Sequence, residues 1–396
     1  MLKEKLKNNC ALVLGGYING FSIIKELHEE GIKDIALFDS GRSIAGFSNK
    51  IIYHSIIDQK SETLLREIKK LNQKYDYIVP FPTDDQHLEL LYEISDEIKD
   101  FCFIPFNKNN LLFSLDKFSQ YQTCARVGIP FPKTINLKLI KDIDSIKNLN
   151  FPVLIKPTSR KDLTTNVFRT LYIGSEKDLL DLKLILIKKL ELGIEFLASE
   201  IIPGNDTNIY AYTCFRSKEG EILNEWIGKK LTQHPDNYGV FSSASNQGPP
   251  DILIQGRKLV DAIDGYGIIQ PEFKFDYRDN KFKLMEINLR SMMWHRTGNL
   301  SGVKLQATQY KYATNNSVIR YVQDQSQHIH YVFMMHEISN LIARKGYWRH
   351  FKYNIWGSKK RFWAVYERAD IKPFLYSLIL LIKSGVSSWL RRIGLR

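Results

Sequence analysis

The sequence predicts a chain that begins as α/β, passes into α+β, and folds as several domains. Three observations carry this. Up to about Phe106, apolar strand-like runs alternate with segments of helical period, the pattern of a parallel sheet. Further on, strand-like runs dominate and adjoin across short turns, the pattern of antiparallel pairing. The chain has 396 residues, 44% of them hydrophobic, more than one ordinary core holds.

Taken in order, "ALVLG" is a buried strand ending in Gly15 and Gly16, and "GFSIIKELHEEGI" has apolar residues at helical spacing. "DIALFDS" is a second strand, "LLREIKKLNQKY" a helix, "DYIVPF" a strand and "HLELLYEISDEIKD" a helix. "SLDKFSQYQTCARVGIPFP" predicts a helix capped by Ser114 or Asp116 and stopped by Gly128 and Pro130. "FPVLIKP" is a short strand, and Ser175 opens the helix of "SEKDLLDLKLILIKKLELG". Strand-like runs follow in "EFLASEII", "NIYAYTCF" and "EILNEWIGKKL", then a helix from Ile252 to Tyr266. A last pair, "PEFKFDY" and "KFKLMEIN", flanks the turn Arg278-Asp279-Asn280. No internal repeat or low-complexity tract is visible.

With 12% aromatic and 25% charged residues, the composition is that of a folded protein and excludes a disordered one. Cys10, Cys102, Cys124 and Cys214 share no spacing pattern, which argues against a zinc site or disulfide framework and fits a reducing cytoplasm. The apolar run before Gly15 is too short for a signal peptide. The formal charge of +13 is uneven: from Leu341 to Arg396 there are 13 Lys and Arg against two acids, while the remainder is nearly balanced.

The residues that carry chemistry gather around the last strand pair. Side chains alternate along a strand, so Glu272, Lys274 and Asp276 share one face, as do Glu286 and Asn288. Paired as a hairpin, these strands bring carboxylates and an amide oxygen together, a hard-oxygen set suited to Mg²⁺. A solvated acidic face is the competing reading. Lys156 ends an apolar strand, where a lysine is rarely buried without an anionic partner. Lys117 stands in a helix's first turn, opposing the dipole unless it reaches a phosphate. "TSRKDLTTN" is a loop rich in small hydroxyl residues, suited to covering phosphates, and "SEIIPGND" offers the acceptors Glu200 and Asp206. Gly15, Gly16 and Gly20 lack the spacing of a dinucleotide loop.

In this order, "LGGYINGF", "PFPTDDQ", "SLDKF", "GIPFPKT", "FPVLIKP", "SEIIPGND" and "PEFKFDYRDNKFKLMEINLR" resemble the ATP-grasp superfamily. The likeness is to its carboxylate–amine ligase branch, which includes D-aspartate ligases and the large chains of carbamoyl-phosphate synthases, and covers roughly residues 11–305. The resemblance implies an N-terminal parallel-sheet domain (1–112), an ATP cleft between a central lid (113–198) and a metal-bearing subdomain (199–325), and a basic helical extension (326–396). It implies ATP and Mg²⁺ (or Mn²⁺) as cofactors. Lys117 and Lys156 match the lysines on the phosphates, Glu200, Ile201 and Ile202 the adenine hinge, and Asp206 the ribose acid. Glu272, Glu286 and Asn288 match the metal ligands, and Arg290 the arginine that steadies the acyl phosphate. Leu289 stands where the superfamily usually has proline.

Further substrate contacts are open. Thr83 and Asp84 follow a strand's carboxyl end, where α/β sheets bind ligands, with a helix cap as the alternative. Lys229 or Lys230 offers another cation, and His295 and Arg296 could bind an acceptor carboxylate. The implied activity is an ADP-forming ligase joining an amino acid or amine to a cell-wall or surface-glycan precursor, nucleotide- or lipid-linked. The alternatives are carbamoyl or carboxyphosphate transfer, or a nucleotide-binding regulator without catalysis.

The tail mixes cations with aromatics. Ile371 to Ile382 is too short and interrupted to span a bilayer, whereas Trp389, Arg391 and Arg392 suit an interfacial helix. Peripheral docking on the inner face of the cell membrane competes with a helix packed on the body. No nucleic-acid module accompanies the charge, and the oligomeric state is not legible.

Overall fold

A computed structural model describes residues 8–158, 167–168, 170–235 and 239–392, with the side chains of 384–392 outside the description. The first sheet is parallel, in the order β3-β2-β1-β4, from β1 (Asn9–Leu14), β2 (Ile35–Asp39), β3 (Tyr53–Ile56) and β4 (Tyr77–Pro82). Helices α1 (Ile18–Glu29), α2 (Ser61–Asn72) and α3 (Asp85–Ile98) lie between and after these strands. β1, β2 and β4 are buried along nearly their whole length, which is why they read as unbroken apolar runs. Strand β3 lies at the edge as Tyr-His-Ser-Ile, without such a run, and its sequence does not announce it.

The glycines of "LGGYINGF" serve close packing. Gly15 has φ +87°, and a Cβ at Gly20 would lie 1.9 Å from the Gly15 carbonyl oxygen. Helix α1 can therefore turn directly off the end of β1 only with glycine at these positions.

Two helices, α4 (Leu111–Leu115) and α5 (Lys117–Val127), lead to the second sheet. Asp116 caps α5, accepting from the Ser119 N–H at 2.7 Å, and Gly128 ends it at φ +68°. Ser114 falls inside α4, which removes it as the cap. The second sheet is antiparallel, in the order β5-β8-β6-β7, from β5 (Thr134–Leu137), β6 (Val153–Pro157), β7 (Leu171–Ile173) and β8 (Phe196–Glu200). Helix α6 (Glu176–Glu191) packs Leu179, Leu186 and Leu190 into the core beneath it. Of the hydroxyl-rich loop after Lys156, residues 159–166 lie outside the described residues.

The third sheet has seven strands in the order β13-β12-β9-β10-β11-β14-β15. They are β9 (Ile209–Arg216), β10 (Ile222–His234), β11 (Val240–Ser245), β12 (Gly267–Asp276), β13 (Lys281–Asn288), β14 (Ile329–Val332) and β15 (Lys360–Trp363). Among the described residues of this sheet, β14 and β15 pair in parallel and the other strands antiparallel. Helices α7 (Pro250–Ala262), α8 (Arg296–Leu300), α9 (Leu305–Ala313), α10 (Met334–Ala343), α11 (Trp348–Trp356) and α12 (Lys372–Arg392) complete the chain.

Residues 326–392 carry helices α10, α11 and α12 and, beyond the expected helical extension, two strands, β14 and β15, that extend the main sheet. Glu337 of α10, wholly buried, accepts from Thr232 (2.8 Å), Ser243 (2.7 Å) and Tyr347 (3.0 Å). Asp370 accepts from the Asn49 N–H at 3.1 Å and fastens the segment to the first domain. These contacts are polar, so the hydrophobic pattern does not reveal them. Among the described residues no helix is long and apolar enough to cross a membrane.

Burial pushes the imidazoles of His330 and His336 down to about 4 from the usual 6.5. Between those values the unfolded chain takes up protons that the native state refuses, so their contribution is full above pH 6.5 and is lost as pH falls toward 4. Urea unfolding should show a lower midpoint at about pH 5 than at about pH 7.5, and His336→Gln should flatten part of that slope. An unchanged slope in His336→Gln would contradict the burial of neutral imidazole.

Candidate active site

The antiparallel register of β12 and β13 sets Glu272 directly opposite Glu286. Like charges in that position repel, and cations from three elements offset them. Lys230, on β10, donates to Glu272 Oε1 at 2.6 Å, with both side chains buried. Lys117, the first residue of α5, donates to Glu286 Oε2 at 2.9 Å, with both about one-third exposed. Lys156, at the end of β6, lies near enough for its charge to act on Glu286.

The two carboxyls differ in consequence. Lys117 above all holds Glu286 far below the usual carboxylate range, with Lys230 and Lys156 adding to it. Burial raises Glu272, and the Glu286 charge raises it further, against the pull of Lys230.

Helix α5 is fastened to β13 so that Lys117 is aimed. Gln120, one turn on, brackets Ile287: its Nε2 donates to the Ile287 carbonyl at 3.1 Å and its Oε1 accepts from the Ile287 N–H at 2.9 Å. Tyr121 donates to the Met285 carbonyl at 3.1 Å. A register shift between Glu286 and Leu284 leaves Met285 as the bulged residue beside the site.

Asn288 donates to Glu286 Oε1 at 3.4 Å. Leu289 takes the position usual for proline and is buried in the core. Arg290 donates through Nε to Asp85 Oδ1 at 2.6 Å, the two side chains 12% and 14% exposed. His295 meets Gln270 Oε1 at 2.6 Å through Nε2, and Gln270 donates to Glu272 Oε2 at 3.3 Å. Burial, and secondarily the Arg290 charge, push His295 down to about 3, so it is neutral near pH 7. Its Nδ1 is buried without a hydrogen-bond partner among the described residues.

Other sequence-predicted residues have structural partners. Thr83 donates to the Leu14 carbonyl at 2.6 Å, and Asp84 caps α3 by accepting from the His87 N–H at 2.8 Å. The neighbour Asp85, which sequence reading passed over, is the residue that reaches Arg290. Lys229 lies over the Tyr210 ring at 5.3 Å on the opposite face from Glu272, so strand alternation selects Lys230 in its place. Asp276 is held by Arg278 and Lys283, both at 2.7 Å, and stands four residues, roughly 13 Å, along β12 from Glu272. It does not join the pair. Arg296 points to Glu29 at 2.8 Å, away from its neighbour His295.

The hinge residues also have partners. Glu200 accepts at 2.9 Å from both the backbone and side-chain N–H of Asn150. The Glu200 and Ile201 N–H groups donate to the Lys133 and Pro152 carbonyls, and Ile202 is buried. Asp206 accepts from the Gln233 N–H at 3.1 Å and from its side-chain amide at 2.9 Å.

Among the described residues no group of three or more His, Cys, Asp and Glu could hold a metal. The donors that converge are two glutamates and one amide, all able to offer oxygen. This set fits Mg²⁺, which takes one or two carboxylates and completes its shell with water and phosphate oxygens. The adjacent lysines fit the same phosphates.

The buried pair gives a direct test of the packing. Lys230→Met or Glu272→Met alone should cost about 3–5 kcal/mol, because each leaves its partner charged and buried. The double variant should lose much less than the sum in urea unfolding. Simple additivity would show that the pair is not coupled.

No family model matches the chain. It is similar to a D-aspartate ligase of Enterococcus faecium (strain Aus0004), 23% identical over 299 residues, 70% of each chain. Among solved structures it resembles the ADP complex of an N5-carboxyaminoimidazole ribonucleotide synthetase, with a TM-score of 0.63, 13% identity and 86% of each chain covered. It also resembles an L-amino acid ligase from Bacillus licheniformis, with a TM-score of 0.58, 13% identity, and 80% and 76% of the two chains covered. With the three sheets in this order and the paired glutamates at the edge of the largest, these likenesses show an ATP-grasp fold.

Proposed function

We propose that the protein is an ADP-forming ligase that uses ATP and Mg²⁺ to join a carboxylate to an amine through an acyl phosphate. The observation that carries this reading is the pair Glu272 and Glu286, facing one another within reach of Lys117, Lys156 and Lys230. The likeness to a D-aspartate ligase supports an amino acid as one substrate.

In this reading Lys117 and Lys156 bind the ATP phosphates, releasing Glu286 to act with Glu272 and Asn288 as metal ligands. The bound ion supplies charge neutralisation on the phosphoryl group. Ile202 and the hinge carbonyls face adenine, since the Glu200 and Ile201 N–H groups are already engaged. Asp206, held by Gln233, is the ribose acceptor. The substrate carboxylate attacks the γ-phosphorus and ADP leaves. Arg290 turns from Asp85 to steady the acyl phosphate, which the amine then attacks, expelling phosphate. Neutral His295 and Gln270 fix Glu272 without adding charge.

A cell-wall or surface-glycan precursor as acceptor, nucleotide- or lipid-linked, belongs to the same proposal, as does a cytoplasmic location with peripheral membrane contact. The basic, aromatic composition of residues 341–396 supports the membrane contact, and the four free cysteines support the cytoplasmic location.

Phosphate release should depend on a carboxylate when ATP and Mg²⁺ are supplied with panels of amino acids, sugar acids and amines. Carboxylate labelled with ¹⁸O should pass label to the released phosphate. Glu286→Gln should lower turnover by at least about a hundredfold with unchanged circular dichroism, because charge stabilisation is the main catalytic contribution here. Near-normal turnover in that variant would remove the metal assignment. Stimulation by bicarbonate alone would favour carboxyphosphate chemistry.

A further inference from the structure

Two cavities outside the candidate active site adjoin under the C-terminal segment. One, of about 440 Å³, lies between α10, α12 and the ends of β14 and β15. Phe333, Met335, Ile338, Val365, Phe374 and Leu378 line it. Its polar side chain, Ser377, donates to the Phe374 carbonyl at 2.7 Å within its own helix. The other, of about 460 Å³, carries four cations, Lys25, Arg296, Lys304 and Arg361, against two carboxylates, Glu29 and Glu367. Trp363 and Tyr366 line both, so the cavities share a wall.

The basic cavity has cationic charge to spare. Both of its carboxylates are already matched, Glu29 by Arg296 at 2.8 Å and Glu367 by Lys50 at 2.7 Å, and Lys304 is paired with Glu30 at 3.3 Å, which leaves Lys25 and Arg361. Lys25 is 4% exposed, donates to the Ala364 carbonyl at 2.9 Å, and lies over the Phe21 ring at 4.7 Å. Arg361 donates to the Ile355 carbonyl and lies over Trp363 at 4.9 Å. Neutral partners thus hold two cations beside an apolar chamber of a size usual for ligand sites. Burial, with the Arg296 charge, pushes the Lys25 amine down to about 7, a displacement that an anion would reverse.

We propose that the two cavities form one site for a single-chain amphiphile, its apolar chain between α10 and α12 and its anionic head between Lys25 and Arg361. The chain chamber is flanked by Leu375, Ile379 and Ile382, 51%, 48% and 66% exposed on α12. Residue Arg296 belongs to this site, and His295, beside it in sequence, belongs to the other. The inference does not rest on the ligase reading, and its test needs no ATP.

Isothermal titration of the full chain with dodecyl phosphate below its critical micelle concentration measures the site directly. Saturable binding is expected, at least about a hundredfold tighter than inorganic phosphate, because the chain supplies most of the driving force. Dodecyl maltoside, with the same chain and no charge, should bind at least about tenfold more weakly. Leu378→Asp in the chain chamber and Arg361→Ala in the head chamber should each weaken dodecyl phosphate about tenfold or more, with circular dichroism unchanged. No saturable binding, inorganic phosphate binding as tightly, dodecyl maltoside binding as tightly, or wild-type affinity in both variants would each overturn the proposal.

Discussion

Two glutamates facing each other across a strand pair cannot remain charged without cations nearby, and this constraint organises the molecule around them. Lys230 comes from the neighbouring part of the same sheet, Lys117 from the helix that leads out of the first domain, and Lys156 from the second sheet. Three parts of the chain are thereby drawn to the end of one ladder. Gln120 and Tyr121 bind the β13 backbone and keep α5 seated where Lys117 reaches Glu286. The same charges that settle the free protein are those an incoming polyphosphate and cation would exchange.

Around that centre the polar residues fall into two groups. Glu272, Glu286, Asn288 and Arg290 meet charged partners that a ligand can replace. Thr83, Asp84 and Glu200 are tied to backbone or amide groups and hold loops in place. The start of α8 separates two sites: His295, just before the helix, faces Gln270 and the glutamates, while Arg296, its first residue, faces Glu29 and the basic cavity.

Much of this was legible from patterns of short period. Strands buried on both faces read as apolar runs, and the Asp116 and Gly128 boundaries of α5 follow from cap chemistry. Facing glutamates follow from alternation on a hairpin. Long-range pairing was not legible. Strands β3, β14 and β15 are short, and β3 and β15 carry no apolar run, so nothing local marks them. Choosing Lys230 over Lys229 requires knowing which face of β10 meets β12 across β9, a fact of sheet order. Asp85 escaped notice because the preceding Asp84 is the better cap, and only the approach of Arg290 from residues far along the chain gives Asp85 its place.

In the proposed reaction Glu272 and Glu286 exchange their lysines for a divalent ion when nucleotide phosphates arrive. Electron paramagnetic resonance of Mn²⁺ measures this most directly. With ADP present, the native protein should take up Mn²⁺, and Glu272→Gln and Glu286→Gln should each lose that uptake while still binding ADP through the hinge. Mn²⁺ bound equally well in both variants would contradict the account.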